Sequence, residues 1–149
     1  MKNTLLLSIG LLFLVSFNLT AQTTSEKVIT YTNKMMNKKV DRGECWDLVA
    51  FALNYAEAKW KAPLEFGVLV NHQKEELKPG DIMTFANTEF KSENGKMSFF
   101  QHYAIVYEVK DKNTIVVAHQ NFNNVRKVTL LEIPINSLTK GKIEFYRPS

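Results

Sequence analysis

The spacing of apolar positions changes character three times along this chain. From Leu5 to Phe17 a run of 13 residues is almost wholly apolar, with Lys2 as its only charged neighbour upstream and Thr20-Ala21 as a small-residue stop before Gln22. That is the layout of a secretory signal, so residues 1–21 are expected to be removed and 22–149 to form the mature domain. A bilayer span needs about 20 apolar residues, so no stable membrane anchor is expected after cleavage.

Helical spacing follows. Thr23 and Glu26 have the spacing of a capping box, and Val28, Tyr31, Thr32, Met35 and Met36 recur on one helical face. The basic residues Lys38 and Lys39 suit the end of that helix. A second helix begins near Asp41-Arg42-Gly43-Glu44, with either Asp41 or Gly43 as N-cap. Cys45, Leu48, Val49, Ala52, Leu53 and Ala56 then form one continuous face. Pro63 marks the region where it has stopped.

From Leu64 onward the pattern is that of strands and turns. Lys78-Pro79-Gly80-Asp81 is a turn signal before a short strand at Ile82–Phe85. Residues 87–98, with Asn94-Gly95 near their centre, read as a surface loop or small hairpin. Further strands are expected at Phe99–Val109, Thr114–Asn121, Lys127–Ile133 and Lys142–Tyr146. The connections are too short for helical crossovers. The expected fold is therefore α+β, with N-terminal helices packed on a mainly antiparallel sheet of five to six strands.

Composition narrows the class. The chain has 149 residues, 45% of them hydrophobic, which suits one globular domain. Nineteen basic residues against 15 acidic give a formal charge of +4. Losing Lys2 with the leader leaves +3, too small an excess for a nucleic-acid signature. Lys34, Lys38, Lys39 and Arg42 read as a solvated basic face. A single cysteine excludes a disulfide framework and a cysteine-rich zinc site.

In an exported chain a lone thiol calls for a reason, since such proteins pair or avoid their cysteines. Cys45 sits where a helix N-terminus offers unpaired N–H groups and a positive dipole end, which favour a thiolate. Arg42 would add to that effect, and Glu44 and Asp47 oppose it. Of the three histidines, His72 lies in a polar stretch and reads as surface. His102 and His119 lie on successive strands. An even-length turn between them puts both rings on one face, directly opposite or diagonal; an odd one separates them. Position alone also fits an inert core thiol and core histidines. Trp46 and Phe99-Phe100 read as packing aromatics. The combination in an exported chain favours Cys45 as nucleophile, His102 as base and His119 as the group that orients it.

Four segments resemble a known family in its order. Gly43-Glu44-Cys45-Trp46-Asp47-Leu48-Val49 resembles the nucleophile motif of CHAP domains and their NlpC-type relatives. Leu77 to Ile82 resembles their proline-glycine-aspartate turn, His102-Tyr103-Ala104-Ile105-Val106 their histidine strand, and Thr114 to Asn121 the strand carrying their third catalytic group. The Gly-Glu-Cys-Trp spelling also resembles the cysteine-proteinase-fold domain of certain fungal actin-associated proteins. The resemblance implies a papain-like fold, an acyl-enzyme on Cys45, and a peptide or peptidoglycan substrate. It aligns His119 with a position where NlpC-type enzymes often have His. It aligns Asn121 with a frequent polar residue just beyond; Asn121 and Trp46 are the candidate substrate contacts. Glu44 stands where CHAP domains commonly have Gln.

The expectation is thus a secreted or periplasmic cysteine amidohydrolase or endopeptidase, monomeric, with no metal and no cofactor. The alternative is a catalytically silent papain-like binding domain.

Overall fold

The computed structural model describes residues 21–93 and 95–149. The expected leader, apart from Ala21, lies outside the described residues, as does Asn94. Helix α1 spans Thr24–Met35 and α2 spans Cys45–Tyr55. Six strands follow: β1 (Val68–Val70), β2 (Ile82–Ser92), β3 (Gly95–Val109), β4 (Thr114–His119), β5 (Thr129–Pro134) and β6 (Leu138–Arg147), with a 3-10 turn at Ile135–Ser137. They form one sheet in the order β1-β6-β2-β3-β4-β5, and every neighbouring pair is antiparallel.

The capping box of α1 is present: Thr23 Oγ1 accepts from the Glu26 N–H, and Glu26 accepts from the Thr23 N–H at 2.7 Å. The helix stops at Met35, short of the two lysines, because Asn37 takes a left-handed conformation (φ 62°) and turns the chain away. For α2 the N-cap is Glu44, and neither Asp41 nor Gly43 serves. Asp47 reaches back to accept from the Glu44 N–H at 3.0 Å. Gly43 has φ 88°, the backbone sign glycine adopts without penalty, and this turn delivers Cys45 to the first helical position.

The sheet separates two cores. On the helix side, Val28, Leu48, Leu53 and Phe66 pack with Ile82, Tyr103, Ile105 and Ala118. On the far side, Phe85, Phe90, Phe99, Ala104, Val106, Val117 and Phe145 form a second cluster, flanked by Leu77, Phe122 and Ile135. A sheet buried on both faces explains why the strands read as nearly continuous apolar runs.

Residues 87–93 and 95–98 belong to the outer part of a long β2–β3 hairpin, paired out to Ser92 and Gly95. Alternation breaks within it. Ala86 and Asn87 on β2, and Phe100 and Gln101 on β3, are consecutive exposed pairs, and Asn87 has φ 50°. Gly141 on β6 meets the same bend. A Cβ there would stand 2.2 Å from the Asn87 carbonyl oxygen, so only glycine fits. The break also corrects one expectation: Phe99 is core, but Phe100 is 83% exposed. Strand β1, three residues long, was too short to announce itself by pattern.

The Lys78-Pro79-Gly80-Asp81 turn is held from within. Asp81 is fully buried, accepts from the Lys78 N–H at 2.8 Å, and takes two hydrogen bonds from Arg147 at 2.9 Å each. Asp81→Ala strands the guanidinium and frees the turn. The expected loss is about 3 kcal/mol, the low end for a broken buried pair because Arg147 retains some water contact. Urea denaturation of the variant against the parent protein measures it.

Candidate active site

Three of the candidate residues are set at one end of the sheet by three different elements. Cys45 opens α2, His102 lies within β3, and His119 ends β4. Whether the rings meet is a matter of register. Near the turn, Val109 pairs with Ile115, which leaves an odd number of residues between them, the case that separates the histidines by face. A bulge at Tyr107 inserts one extra residue between the Val106–Val117 and Glu108–Val116 pairs and restores the parity. Continuing that register sets His119 level with Ala104, diagonal to His102. The Tyr107 side chain turns instead to the helices, where its hydroxyl donates to Asn33 Oδ1 at 2.8 Å.

The rings do meet. His102 Nε2 and His119 Nδ1 are 3.0 Å apart, with the rings edge to face. Both are buried, at 4% and 2% exposure. His102 stacks on Phe99, with centroids 5.0 Å apart, and touches Phe85; His119 packs on Phe122. Burial, then the neighbouring His119, lowers the His102 pKa to about 3. Burial alone lowers His119 to about 4. Both rings are therefore neutral at pH 7, and the shared hydrogen bond needs one donor and one acceptor. If His102 Nε2–H donates, His102 Nδ1 carries a free lone pair and is a base. In the other tautomer it is not.

Cys45 is half-buried and unpaired. Burial pushes its thiol above the ordinary range; the backbone N–H groups of Tyr103 and Trp46 pull it down, and the Glu44 carboxylate adds to the rise. The sulfur thus lies against the backbone of Tyr103, the residue next to His102, and packs with the helix-side core. Among the described residues no hydrogen bond joins Sγ to either imidazole. The thiol therefore lies beside the β3 backbone next to His102, on the helix side, while both imidazoles pack against Phe85, Phe99 and Phe122 of the far-side cluster, and at rest no ion pair joins them.

Arg42 does not serve the thiol. It is committed to Asp47 at 2.5 Å and to Asp41 at 3.5 Å. Trp46 is half-buried; its ring lies 5.9 Å from that of Trp60, and its Nε1–H donates to the Pro63 carbonyl at 3.2 Å. Asn121, a candidate substrate contact, donates to Glu44 Oε2 at 2.5 Å, and Arg126 donates to the other Glu44 oxygen at 2.8 Å. His72 is half-buried rather than on the surface, edge-on to Phe145 with centroids 5.1 Å apart.

One residue of the site had no sequence signal. Gln120 is fully buried; its Oε1 accepts from the Val40 N–H, and its Nε2 donates to the Val40 and Glu44 carbonyls. It fastens the loop before Cys45 to the residue after His119. A glutamine among polar neighbours at a strand end looks like surface until the loop 80 residues away is laid against it. Among the described residues no cluster of three or more potential metal ligands occurs.

Comparison with known proteins bears on the fold and the family. Two solved structures share the fold. Ly7917 with the hydrolyzing product of MDP superposes with a TM-score of 0.56 at 14% identity, covering 85% of this chain and 64% of that one. Ly7917 alone gives 0.53 at 16% identity, covering 84% and 63%. A curated relative, altered inheritance of mitochondria protein 3 of Debaryomyces hansenii, is 31% identical over 147 residues, covering 83% of this chain and 16% of that much longer protein. The family model of the AIM3/BBC1 cysteine proteinase-fold domain matches residues 16–149. With, among the described residues, two helices, a lone cysteine at the start of the second, and a six-stranded antiparallel sheet, the chain belongs to the AIM3/BBC1 cysteine proteinase-fold family.

Proposed function

We propose that this domain is an exported thiol hydrolase that cleaves amide bonds of peptides, including those of cell-wall peptides. The supporting observation is the 3.0 Å His102–His119 pair, set on the strand whose next residue, Tyr103, turns its backbone N–H to the Cys45 sulfur. In this reading His102 Nδ1 takes the thiol proton as Sγ bonds to the substrate carbonyl carbon. The N–H groups of Cys45 and Trp46, in the first turn of α2 beside the sulfur, serve the developing oxyanion in this reading. The proton passes to the amide nitrogen, the C–N bond breaks, and a thioester remains on Cys45. Water, deprotonated by His102 Nδ1, attacks the thioester carbon; the C–S bond breaks, the acid product leaves, and the proton returns from Nδ1 to Cys45 Sγ. His119 holds the ring in the tautomer that leaves Nδ1 free. Because thiol and imidazole are both neutral at rest, the proton moves during attack, and Sγ and Nδ1 close on bound substrate.

The raised thiol and the Glu44 carboxylate beside it favour a second reading, a papain-like binding domain without turnover. Incubation with a mixed peptide library and with wall peptides separates the two. Hydrolysis by the parent protein that is lost in Cys45→Ala supports the enzyme. Binding without cleavage supports the second reading.

A further inference from the structure

A groove of about 270 Å³ opens on the helix side of the sheet, lined by Leu64, Phe66, Phe100, Gln101, Tyr103 and Tyr146, among others. Aromatic rings connect it to the nucleophile. Trp46 contacts Trp60, Trp60 stacks on Phe66, and Phe66 meets Tyr103 and Tyr146 edge-on with centroids 5.8 Å apart. Tyr103 belongs to both places, since its ring lines the groove and its backbone N–H faces the Cys45 sulfur. The mouth is apolar and in water: Leu64 is 48% exposed and Phe100 83%. Phe100 is out there because both strands of the hairpin interrupt their alternation at the same level, with Asn87 in a left-handed conformation. An exposed aromatic on a bent strand is a local cost, and such features cluster where a ligand is met.

We propose that this groove is the specificity pocket of the Cys45 site and takes one large apolar side chain, aromatic or branched aliphatic, of a peptide lying across the thiol. The inference rests on Cys45 being the nucleophile, and it names the substrate class. The volume is below that of pockets for whole small ligands and suits a single side chain. The wall is mainly apolar and aromatic; its polar members are Thr84, Asn87, Gln101, hydrogen-bonded to Tyr103 at 2.7 Å, and Glu144, whose carboxylate is paired with Lys142 at 2.7 Å. Wall stem peptides, built from alanine, acidic and diamino residues, leave this pocket empty and are the poorer substrates of the same site. Peptides with a large apolar side chain and unfolded segments of proteins fill it.

The test uses two blocked hexapeptides differing only by Ala or Phe at one position, scanned along the peptide, and a wall stem peptide. The proposal expects kcat/KM for the Phe peptide to exceed that for the Ala and stem peptides by about 10- to 100-fold at one position, the worth of burying such a side chain. Leu64→Glu, at the exposed mouth, removes most of that preference and leaves the Ala peptide and the rate of Cys45 alkylation unchanged. Equal cleavage of all three peptides, or a Phe preference that survives Leu64→Glu, overturns the pocket and leaves the hydrolase standing. If nothing is cleaved, the hydrolase reading fails, and equilibrium binding of the same peptides to the Cys45→Ala protein decides the pocket alone. A Phe preference of about tenfold that Leu64→Glu abolishes supports it, and no preference overturns it.

Discussion

Replacing His102 with Gln lowers peptide turnover by about 10²- to 10⁴-fold, the range for a general base, and leaves the fold intact. Glutamine roughly conserves volume against Phe85 and Phe99 and still offers an amide to His119. What it lacks is a basic nitrogen in the place of Nδ1. His119→Ala has a smaller effect, because it leaves the base but releases the tautomer. His119→Glu goes the other way on one observable. A carboxylate in place of the neutral ring favours the protonated form of His102, so the acid limb of the rate profile moves up from about pH 3. Steady-state rates across pH for the three variants separate a base from a packing residue. A His102→Gln protein that retains full turnover removes this residue from the mechanism.

Acid sensitivity is the second large effect. His102 and His119 have folded pKa values lowered to about 3 and about 4, from 6.5. Above pH 6.5 both rings are neutral in either state, so the pair costs nothing. Between 6.5 and the folded values, the unfolded chain binds protons that the buried rings refuse. Stability therefore falls as pH falls, by up to about 1.4 kcal/mol per pH unit for each ring. By pH 4.5 the loss is several kcal/mol, a large share of a typical domain's stability. His72, also lowered by burial, acts in the same direction. Urea midpoints between pH 7.5 and 4.5 show the slope, and His102→Gln removes about half of it. A flat profile means that water reaches the rings freely.

How much of this was legible in the sequence differs by residue. The helical face from Cys45 to Ala56 is a local pattern and α2 spans Cys45–Tyr55 along it, but its N-cap is Glu44 and not Asp41 or Gly43, because the capping contact comes from Asp47. The α+β layout and antiparallel order were legible because short turns forbid crossovers. The meeting of His102 and His119 was legible only as a condition on parity. The turn is odd, and the bulge at Tyr107 supplies the missing residue; a bulge in a run of apolar residues leaves no mark in their alternation. The exposed pair Ala86-Asn87 falls at the edge of the expected loop and Phe100-Gln101 inside the expected strand Phe99–Val109, where the residues themselves do not mark the break in alternation. Gln120, Asn121 and Arg126 act on Glu44 and its loop from about 80 positions away, and no local pattern carries such contacts. Asn121 illustrates the consequence. Its amide is engaged with Glu44, so any contact with substrate must share or displace that bond.

The site also explains how a carboxylate can stand beside a nucleophile. Glu44 raises the thiol pKa, yet both of its oxygens are occupied, one by the Asn121 amide and one by the Arg126 guanidinium. Gln120 holds the backbone of the same residue. The negative charge at the N-cap of α2 is thereby held by two donors and partly balanced by the guanidinium.

The most direct measurement is intact-mass spectrometry of the protein acid-quenched during turnover of a slowly cleaved peptide ester or amide. A thioester adduct of the acyl fragment's mass, mapped to Cys45, absent from Cys45→Ala and diminished in His102→Gln, is the expected result. Cleavage with no adduct on Cys45, or undiminished cleavage by Cys45→Ala, would contradict it.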